Sequence, residues 1–302
     1  MPDQHLPMSV RRARLIALGS KSGRLGEPTK MPGYAFGTSA FLCQRGSVLA
    51  QDPTTACGQC YARTAYYDTK DEVRIAHERR MAGLRHPEWV PAMITLILAH
   101  TTRADPYFRW HDSGDLQGLW HLKNIIAVCQ TTSWVKHWLP THEPHIVREY
   151  LQNGGTIPEN LCLRISADFI GKPPAKIPGL EGIPTHTTHR GHGQTRLVQV
   201  SENPKDTFEC RSHTRAIKKG TAGFCGPCRA CWTPSIPNIG FAIHGEKPWK
   251  LQRKLFPEEI VPRVRATKGS RRDKPKGEIR SPITTTCGNE TDLVQLRLFR
   301  DK

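Results

Sequence analysis

The chain has 302 residues and carries 44 Lys and Arg against 27 Asp and Glu, a formal net charge of +17. A positive excess this large argues against an acidic protein that binds small proteins and favours a polyanionic partner, most often nucleic acid. The longest apolar run, around Met93–Ala99, is too short to span a membrane, and the first 30 residues lack the apolar stretch of a secretory signal. We therefore expect a cytoplasmic protein whose ten cysteines are mostly reduced.

Strand and helix patterns alternate between Gly33 and about His244, which is typical of parallel βαβ units. The pattern predicts strands at 34–40, 107–111, 135–139, 161–165, 197–200 and 239–243. It predicts helices at 61–84, 89–99, 116–130 and 144–152. Two further short strands are predicted, an edge strand at 15–18 and a terminal strand at 293–299.

Composition divides the chain into four segments. A basic, partly ordered arm covers 1–30, an α/β core covers 31–205, and a segment with four cysteines and the last strand covers 206–261. Residues 262–302 form a basic, largely flexible tail in which 11 Lys and Arg stand against 5 Asp and Glu. This tail is either a solvated arm or a nucleic-acid contact.

Polar side chains follow four of the predicted strands. They are Ser113 and Asp115; Thr141, His142 and Glu143; Ser166 and Asp168; and Ser201. In parallel α/β folds the active site lies at the carboxyl ends of the strands, where the following loops meet. We therefore expect these side chains to surround a site, although loops are polar in general.

The first cysteine set is Cys43, Cys57 and Cys60, in a polar loop between the first strand and the first long helix. Three thiolates leave one iron of a [4Fe–4S] cluster without a protein ligand, and a small molecule can bind there. A structural zinc site would need a fourth ligand, for which His77 is the nearest candidate. A redox pair at Cys57 and Cys60 would leave Cys43 unexplained.

The second cysteine set is Cys210, Cys225, Cys228 and Cys231. Its closely spaced last three members are typical of clusters, and four thiolates also complete a zinc site, so both remain open. The other cysteines are assigned to the core (Cys129 and Cys162) or to no role (Cys287). The loop with His186, His189 and His192 is either a metal site or a polar loop that contacts phosphate or solvent.

Several motifs together resemble a phage family known as gene product 88, which in turn resembles radical S-adenosylmethionine (SAM) enzymes. The motifs include Ser22 and lie at residues 30–33, 56–62, 108–116, 138–143 and 225–232. The resemblance covers about two thirds of the chain. It implies an α/β fold with a partial (β/α)6 TIM-like barrel of radical-SAM type, a Cys-rich C-terminal insertion and basic flexible termini.

The same resemblance implies a set of site residues. Cys43, Cys57 and Cys60 would hold a [4Fe–4S] cluster whose free iron binds SAM. The SAM-binding residues would be Tyr61, Ser113, Gly114, Asp115, Thr141 and Ser166, and the catalytic residues would be Glu143 and Asp168. One departure from the usual pattern is that 13 residues separate Cys43 from Cys57, where radical-SAM enzymes have three.

The function implied is reductive cleavage of SAM to a deoxyadenosyl radical. The resemblance says little about the substrate, but the net charge of +17 favours a nucleotide or nucleic acid, in phage metabolism or DNA modification. Its partners would be that substrate and an electron donor such as flavodoxin or ferredoxin, in the host cytoplasm and without a membrane. The second cysteine set would hold a second [4Fe–4S] cluster or zinc. The alternatives are a non-catalytic nucleic-acid-binding protein with zinc or iron–sulfur sites, and an iron–sulfur protein that has lost SAM chemistry.

Overall fold

The computed structural model describes residues 6–64, 70–189, 207–210, 212 and 224–243. Within these ranges the strands are β1 (Tyr34–Phe36), β2 (Tyr107–Trp110), β3 (Lys136–Thr141), β4 (Leu161–Ser166), β5 (Thr185–His189), β6 (Thr207–Glu209) and β7 (Asn238–Ala242). They form one sheet in the order β1-β2-β3-β4-β5-β7-β6, and all neighbouring strands are parallel. The predicted α/β fold with a parallel sheet is confirmed.

Seven α-helices lie in the described ranges. They are α1 (Val10–Leu18), α2 (Gln44–Leu49), α3 (Tyr61–Thr64), α4 (Asp71–Gly83), α5 (Trp89–His100), α6 (Leu119–Thr131) and α7 (Pro144–Gln152). Short 3₁₀ helices cover Ala40–Leu42, Cys57–Gln59 and Ala230–Trp232. No helix among the described residues is both long and apolar enough to cross a membrane.

The predicted edge strand at 15–18 is wrong, because these residues are the last turn of α1. Ser9 caps this helix by accepting a hydrogen bond from the Arg12 amide at 3.3 Å. Gly19, at φ +63°, ends it with an amide that donates to the Arg14 carbonyl. Both ends thus have typical helix-capping residues. The helix buries Ile16 and Leu18 against the core and packs on α5 and α4.

The two faces of the sheet are covered differently. Successive side chains of a strand point to opposite faces. In β2, Phe108 and Trp110 join the apolar core under the helices, whereas Arg109 lines a cavity on the other face. In β3, Leu139 joins that core and Trp138 lines the cavity. Helices therefore cover one face, and the segments with the two cysteine sets meet the other.

Most other predicted elements are found with shifted ends. The first four long strands and the strand near 239 are present, as are the helices near 89 and 144. The helix predicted from 116 begins at Leu119, and that predicted at 61–84 corresponds to α3 and α4, with 65–69 outside the described residues. Strands β5 and β6 were not predicted. The strand predicted at 197–200 with Ser201, the strand at 293–299, His192, Cys287 and the tail at 262–302 lie outside the described residues.

Candidate functional site

A cavity of about 330 Å³ lies on the sheet face that the helices leave free. Both cysteine sets reach it: its walls include Cys43, Cys57, Cys60, Cys210, Cys225 and Cys231. All of the predicted SAM-binding residues also line it, namely Tyr61, Ser113, Gly114, Asp115, Thr141 and Ser166. The carboxyl ends of the parallel strands thus converge here, as the sequence predicts.

The first cysteine set is brought together by the short helices of its loop. Cys43 directly precedes α2, and Cys57 and Cys60 lie at the two ends of a 3₁₀ turn. Gly46 of α2 passes close to two of the thiols, since a Cβ on it would lie 2.9 Å from Cys43 Cβ and 3.5 Å from Cys57 Sγ. The 13-residue separation therefore still places Cys43 beside Cys57.

Burial makes ionisation of the Cys43 and Cys60 thiols unfavourable. It raises the pKa of Cys43 well above its ordinary value, and the negative charges of Asp115, Cys60 and Cys57 raise it further. Burial also raises the pKa of Cys60, partly opposed by the Ala62 amide. Thiolates packed this way need a positive charge beside them, and a bound metal ion supplies one.

Asp115 connects the ends of two neighbouring strands. Its Oδ1 accepts hydrogen bonds from Thr141 Oγ1 at 2.6 Å and from the Leu116 amide at 2.7 Å, and its Oδ2 accepts one from the His142 amide at 2.7 Å. Burial raises the pKa of Asp115, opposed by His142 and these hydrogen bonds. Asp115 is not the N-cap of α6, because that position belongs to Gly118. Protein donors thus already occupy both carboxylate oxygens.

The turn at Ser113 and Gly114 is held from two sides. The Ser113 carbonyl accepts a hydrogen bond from the Thr38 amide at 2.8 Å, and the Tyr61 hydroxyl donates to the Asp112 carbonyl. Gly114 has φ +82°, and a Cβ on it would lie 2.0 Å from Thr38 Oγ1. The Ser113 hydroxyl is buried and has no hydrogen-bond partner among the described residues. It is therefore available to a ligand in the cavity.

The two predicted catalytic acids, Glu143 and Asp168, are not among the cavity-lining residues. Both hold α2 in place: Glu143 Oε1 accepts from the Arg45 amide at 2.9 Å, and Asp168 pairs with the Arg45 guanidinium. Burial raises the pKa of Glu143 to about 7. Burial opposes ionisation of Asp168 too, yet His142 and Arg45 hold its pKa below the ordinary value.

His142 lies between Asp168 and the first cysteine set. Its Nδ1 is 3.4 Å from Asp168 Oδ1. Burial alone would lower the pKa of His142, but Asp168 and Cys57 raise it to about 10. The positive charge of the His142 imidazole is thus balanced here, because the Asp168 carboxylate lies beside it.

The second cysteine set surrounds a smaller cavity of about 20 Å³, which all four of its members line. Burial raises the pKa of Cys231 well above its ordinary value, and the other three cysteines raise it further. The Cys225 amide donates to the Lys30 carbonyl at 2.7 Å. Burial lowers the pKa of Lys30, opposed by Cys210 and Cys225. Lys30 therefore lies beside the second cysteine set.

The family model described as Gene product 88 matches residues 12–234. The chain belongs to the Gene product 88 family. The phage-family part of the resemblance is thereby confirmed, while the likeness to radical-SAM enzymes stays a prediction. Searches of curated proteins and of solved structures found no match.

In this member of the Gene product 88 family, metal binding stays a prediction for both cysteine sets. Among the described residues, no group of three or more His, Cys, Asp or Glu side chains is arranged so that it could hold a metal ion. Cys129 and Cys162 are buried, as expected of core residues. His186 and His189, which were expected in a loop, lie on strand β5, and His189 Nε2 is 3.0 Å from Glu209 Oε1.

Sequence reasoning missed Arg164, which joins the second cysteine set to the sheet. This side chain on β4 is fully buried and donates to five backbone carbonyls. The acceptors are Thr233 at 2.7 Å, Ile236 at 2.9 Å, Ala230 at 3.1 Å, Thr185 at 3.2 Å and Cys231 at 3.4 Å. The signal in the sequence that could have indicated this role is a single arginine within the mostly apolar strand Leu161–Ser166.

Proposed function

We propose that this protein is a radical-SAM-like enzyme whose [4Fe–4S] cluster is held by Cys43, Cys57 and Cys60. The observation that carries the proposal is the shared cavity, where these three thiols lie with the polar strand ends that the family resemblance assigns to SAM. When bound, such a cluster supplies one-electron cleavage of SAM and hence radical chemistry on the substrate.

Two local features fit a cluster at this place. The missing side chain of Gly46 leaves space beside the thiols of Cys43 and Cys57. Burial raises the pKa of the Cys43 thiol, and a bound cation would lower that pKa and so favour the thiolate form that binds metal. A cavity that faces the inner side of a parallel sheet, with helices on the outer side, is also what a partial (β/α)6 barrel would provide.

The geometry favours different roles for the residues that the sequence groups together. In this proposal the Ser113 hydroxyl, which has no partner among the described residues, and the side chain of Ser166 would contact SAM directly; both residues line the cavity. Asp115 positions Thr141 and the His142 backbone, so its effect on SAM would be indirect. Glu143 and Asp168 act as positioning residues that hold α2 against the strand ends.

The substrate in this proposal is a nucleotide or nucleic acid, since the chain has a net charge of +17. The electron donor would be a flavodoxin or a ferredoxin. The second cysteine set would bind zinc or a second [4Fe–4S] cluster.

The test compares Cys57→Ser with Cys129→Ser in anaerobically purified protein. Cys57→Ser should lose one cluster's iron and sulfide and all SAM cleavage. Cys129→Ser should keep both, because Cys129 is buried in the helix-side core. Cys43→Ser should match Cys57→Ser. Full iron content and SAM cleavage in Cys57→Ser would refute the proposal.

A non-catalytic nucleic-acid-binding protein is the second candidate. The observation in its favour is the five-carbonyl contact of Arg164, which makes the second cysteine set a structural part of the sheet. This candidate predicts a colourless protein that contains zinc without iron, binds nucleic acid at low salt and does not cleave SAM. Iron, sulfide and zinc analysis therefore separates the two candidates.

A further inference from the structure

An aromatic wall lies on the cavity-lining face of the sheet and consists of Trp138 on β3, His186 on β5 and Phe241 on β7. All three line the cavity. The rings of Trp138 and Phe241 are nearly parallel, at 16° with centroids 6.3 Å apart, and His186 meets Phe241 edge-on at 5.5 Å. None of the three is needed for the proposed cluster or SAM contacts.

The aromatic wall extends from one cysteine set to the other. At one end the His186 ring is 6.4 Å from the ring of His142, which neighbours Cys57. At the other end Trp138 is 5.6 Å from Trp232, which directly follows Cys231. A ligand on this wall would therefore lie between the two sets.

Two buried polar atoms of the wall have no partner in the part of the chain that the structure describes. Trp138 Nε1 and His186 Nδ1 have no hydrogen-bond partner among the described residues. Buried polar atoms are nearly always hydrogen-bonded, so each unsatisfied one suggests a missing partner. An indole nitrogen only donates, whereas a neutral imidazole can donate or accept. A flat ligand with hydrogen-bonding atoms along its edge would satisfy both.

Two cations line the same cavity. The Arg109 guanidinium lies 4.5 Å from the centroid of the Trp138 ring, and Lys30 lies beside the second cysteine set. The carboxylates that line the cavity, Asp112 and Asp115, directly follow β2, and Asp115 is already bound to Thr141 and His142. The part of the cavity beside the aromatic wall thus favours an anion.

We propose that the aromatic wall, with Lys30 and Arg109, is a binding subsite for a free nucleoside monophosphate. The base would contact the wall and satisfy Trp138 Nε1 and His186 Nδ1, while the phosphate would lie near the two cations. The cavity volume of about 330 Å³ is in the range of small-molecule sites. This inference rests on the proposed function in one respect, namely that the bound nucleotide is the substrate of that reaction.

The experiment is calorimetric titration of the full chain, loaded with metal under anaerobic conditions. The ligands are the four deoxynucleoside 5′-monophosphates, the matching nucleosides and inorganic phosphate. At least one monophosphate should bind at least ten times more tightly than its nucleoside and than phosphate alone. No binding of any monophosphate at millimolar concentration would overturn the proposal.

Matched variants test the wall itself. Trp138→Phe keeps the aromatic ring but removes the Nε1 donor, and His186→Leu removes the imidazole. Each should weaken monophosphate binding about threefold to tenfold, the value of one hydrogen bond. Trp134→Phe is the control, because Trp134 packs under Arg103 away from the cavity. Equal weakening by Trp134→Phe, or none by Trp138→Phe, would overturn the assignment.

Two further results separate this inference from the proposed function. SAM and the monophosphate should bind together without competition. Displacement of the monophosphate by one equivalent of SAM would show that SAM binds at the aromatic wall and would overturn the proposal. Cys57→Ser should lose SAM cleavage yet keep monophosphate binding. Loss of SAM chemistry with binding retained would refute only the proposed function, and SAM cleavage without monophosphate binding would refute only this subsite.

Discussion

The strongest structural prediction concerns Arg164, whose guanidinium is 0% exposed and fans out to five carbonyl oxygens. Four of these carbonyls belong to the chain between Ala230 and Ile236, which includes Cys231, the last cysteine of the second set. Arg164→Met keeps most of the side-chain volume but removes every donor. It leaves the acceptors in a place where water has little access.

The magnitude follows from the two short contacts, to Thr233 at 2.7 Å and to Ile236 at 2.9 Å. Hydrogen bonds from a charged donor contribute about 1.5–3 kcal/mol each. The variant recovers the cost of burying the guanidinium, a burial that also lowers the pKa of Arg164. We expect a net loss of about 3–5 kcal/mol in unfolding free energy. Against a typical total of about 5–15 kcal/mol, that is a large fraction.

The assay is denaturant unfolding, combined with the rate at which the second-set cysteines react with an alkylating reagent. Arg164→Met should unfold at lower denaturant, and its cysteines should be alkylated faster. Arg164→Lys should not restore stability, since an ammonium has fewer donors and no planar fork. The control is Arg74→Met, which removes an exposed arginine paired with Glu78 and should leave the unfolding midpoint nearly unchanged. Equal midpoints and equal alkylation rates in the two methionine variants would refute the reasoning.

Three other predictions follow from single features. Gly114→Ala should lower the melting temperature more than Gly154→Ala, because both have positive φ but only at Gly114 would a Cβ meet an atom, Thr38 Oγ1 at 2.0 Å; equal shifts would contradict this. Burial lowers the pKa of His137 to about 3, so its stabilising effect is complete above the ordinary value of about 6.5 and is lost as pH falls below it. In His137→Gln, unfolding free energy should therefore fall less steeply between about pH 6 and about pH 4, by about 1.4 kcal/mol per pH unit, and an unchanged slope would count against a neutral buried imidazole. Removal of residues 262–302 should flatten the salt dependence of duplex DNA binding by about 0.9 in log–log slope per lost phosphate contact, whereas an unchanged slope would show a solvated arm.

The sequence predicts the α/β class well because strong local patterns mark most of its elements. The run at Trp89–His100 is apolar almost throughout, and Pro144 with Gly154 brackets α7. The edge strand at 15–18 failed because four apolar residues alone do not reveal a helix that Ser9 and Gly19 delimit. Strand β5 has the sequence Thr-His-Thr-Thr-His, which lacks an apolar pattern, and only its pairing with β4 and β7 makes it a strand.

The candidate site was predictable in its location but less so in the roles of its residues. Each polar side chain at a strand end is visible in the sequence, and parallel strands bring such ends together. What each side chain binds depends on neighbours far away in the chain. Asp115 accepts hydrogen bonds from Thr141 and His142, and Asp168 forms an ion pair with Arg45. The aromatic wall was missed for the same reason, because Trp138, His186 and Phe241 meet only when the sheet has formed.

The two cysteine sets have a structural consequence that connects metal binding with the shape of the cavity. A parallel sheet is normally covered on both faces, and among the described residues helices cover only one. Two segments pack on the other face. The loop of the first set is held by the Arg45–Asp168 ion pair, and the segment of the second set is held by hydrogen bonds from Arg164. Burial and neighbouring cysteines raise the pKa of Cys43 in one segment and of Cys231 in the other. The thiols within each set therefore pack together favourably only when protons or a cation neutralise them. A metal ion that binds the folded arrangement and not the open one would stabilise both segments by mass action. The same cysteines that would hold a reactive centre therefore also line the cavity in which that centre would act.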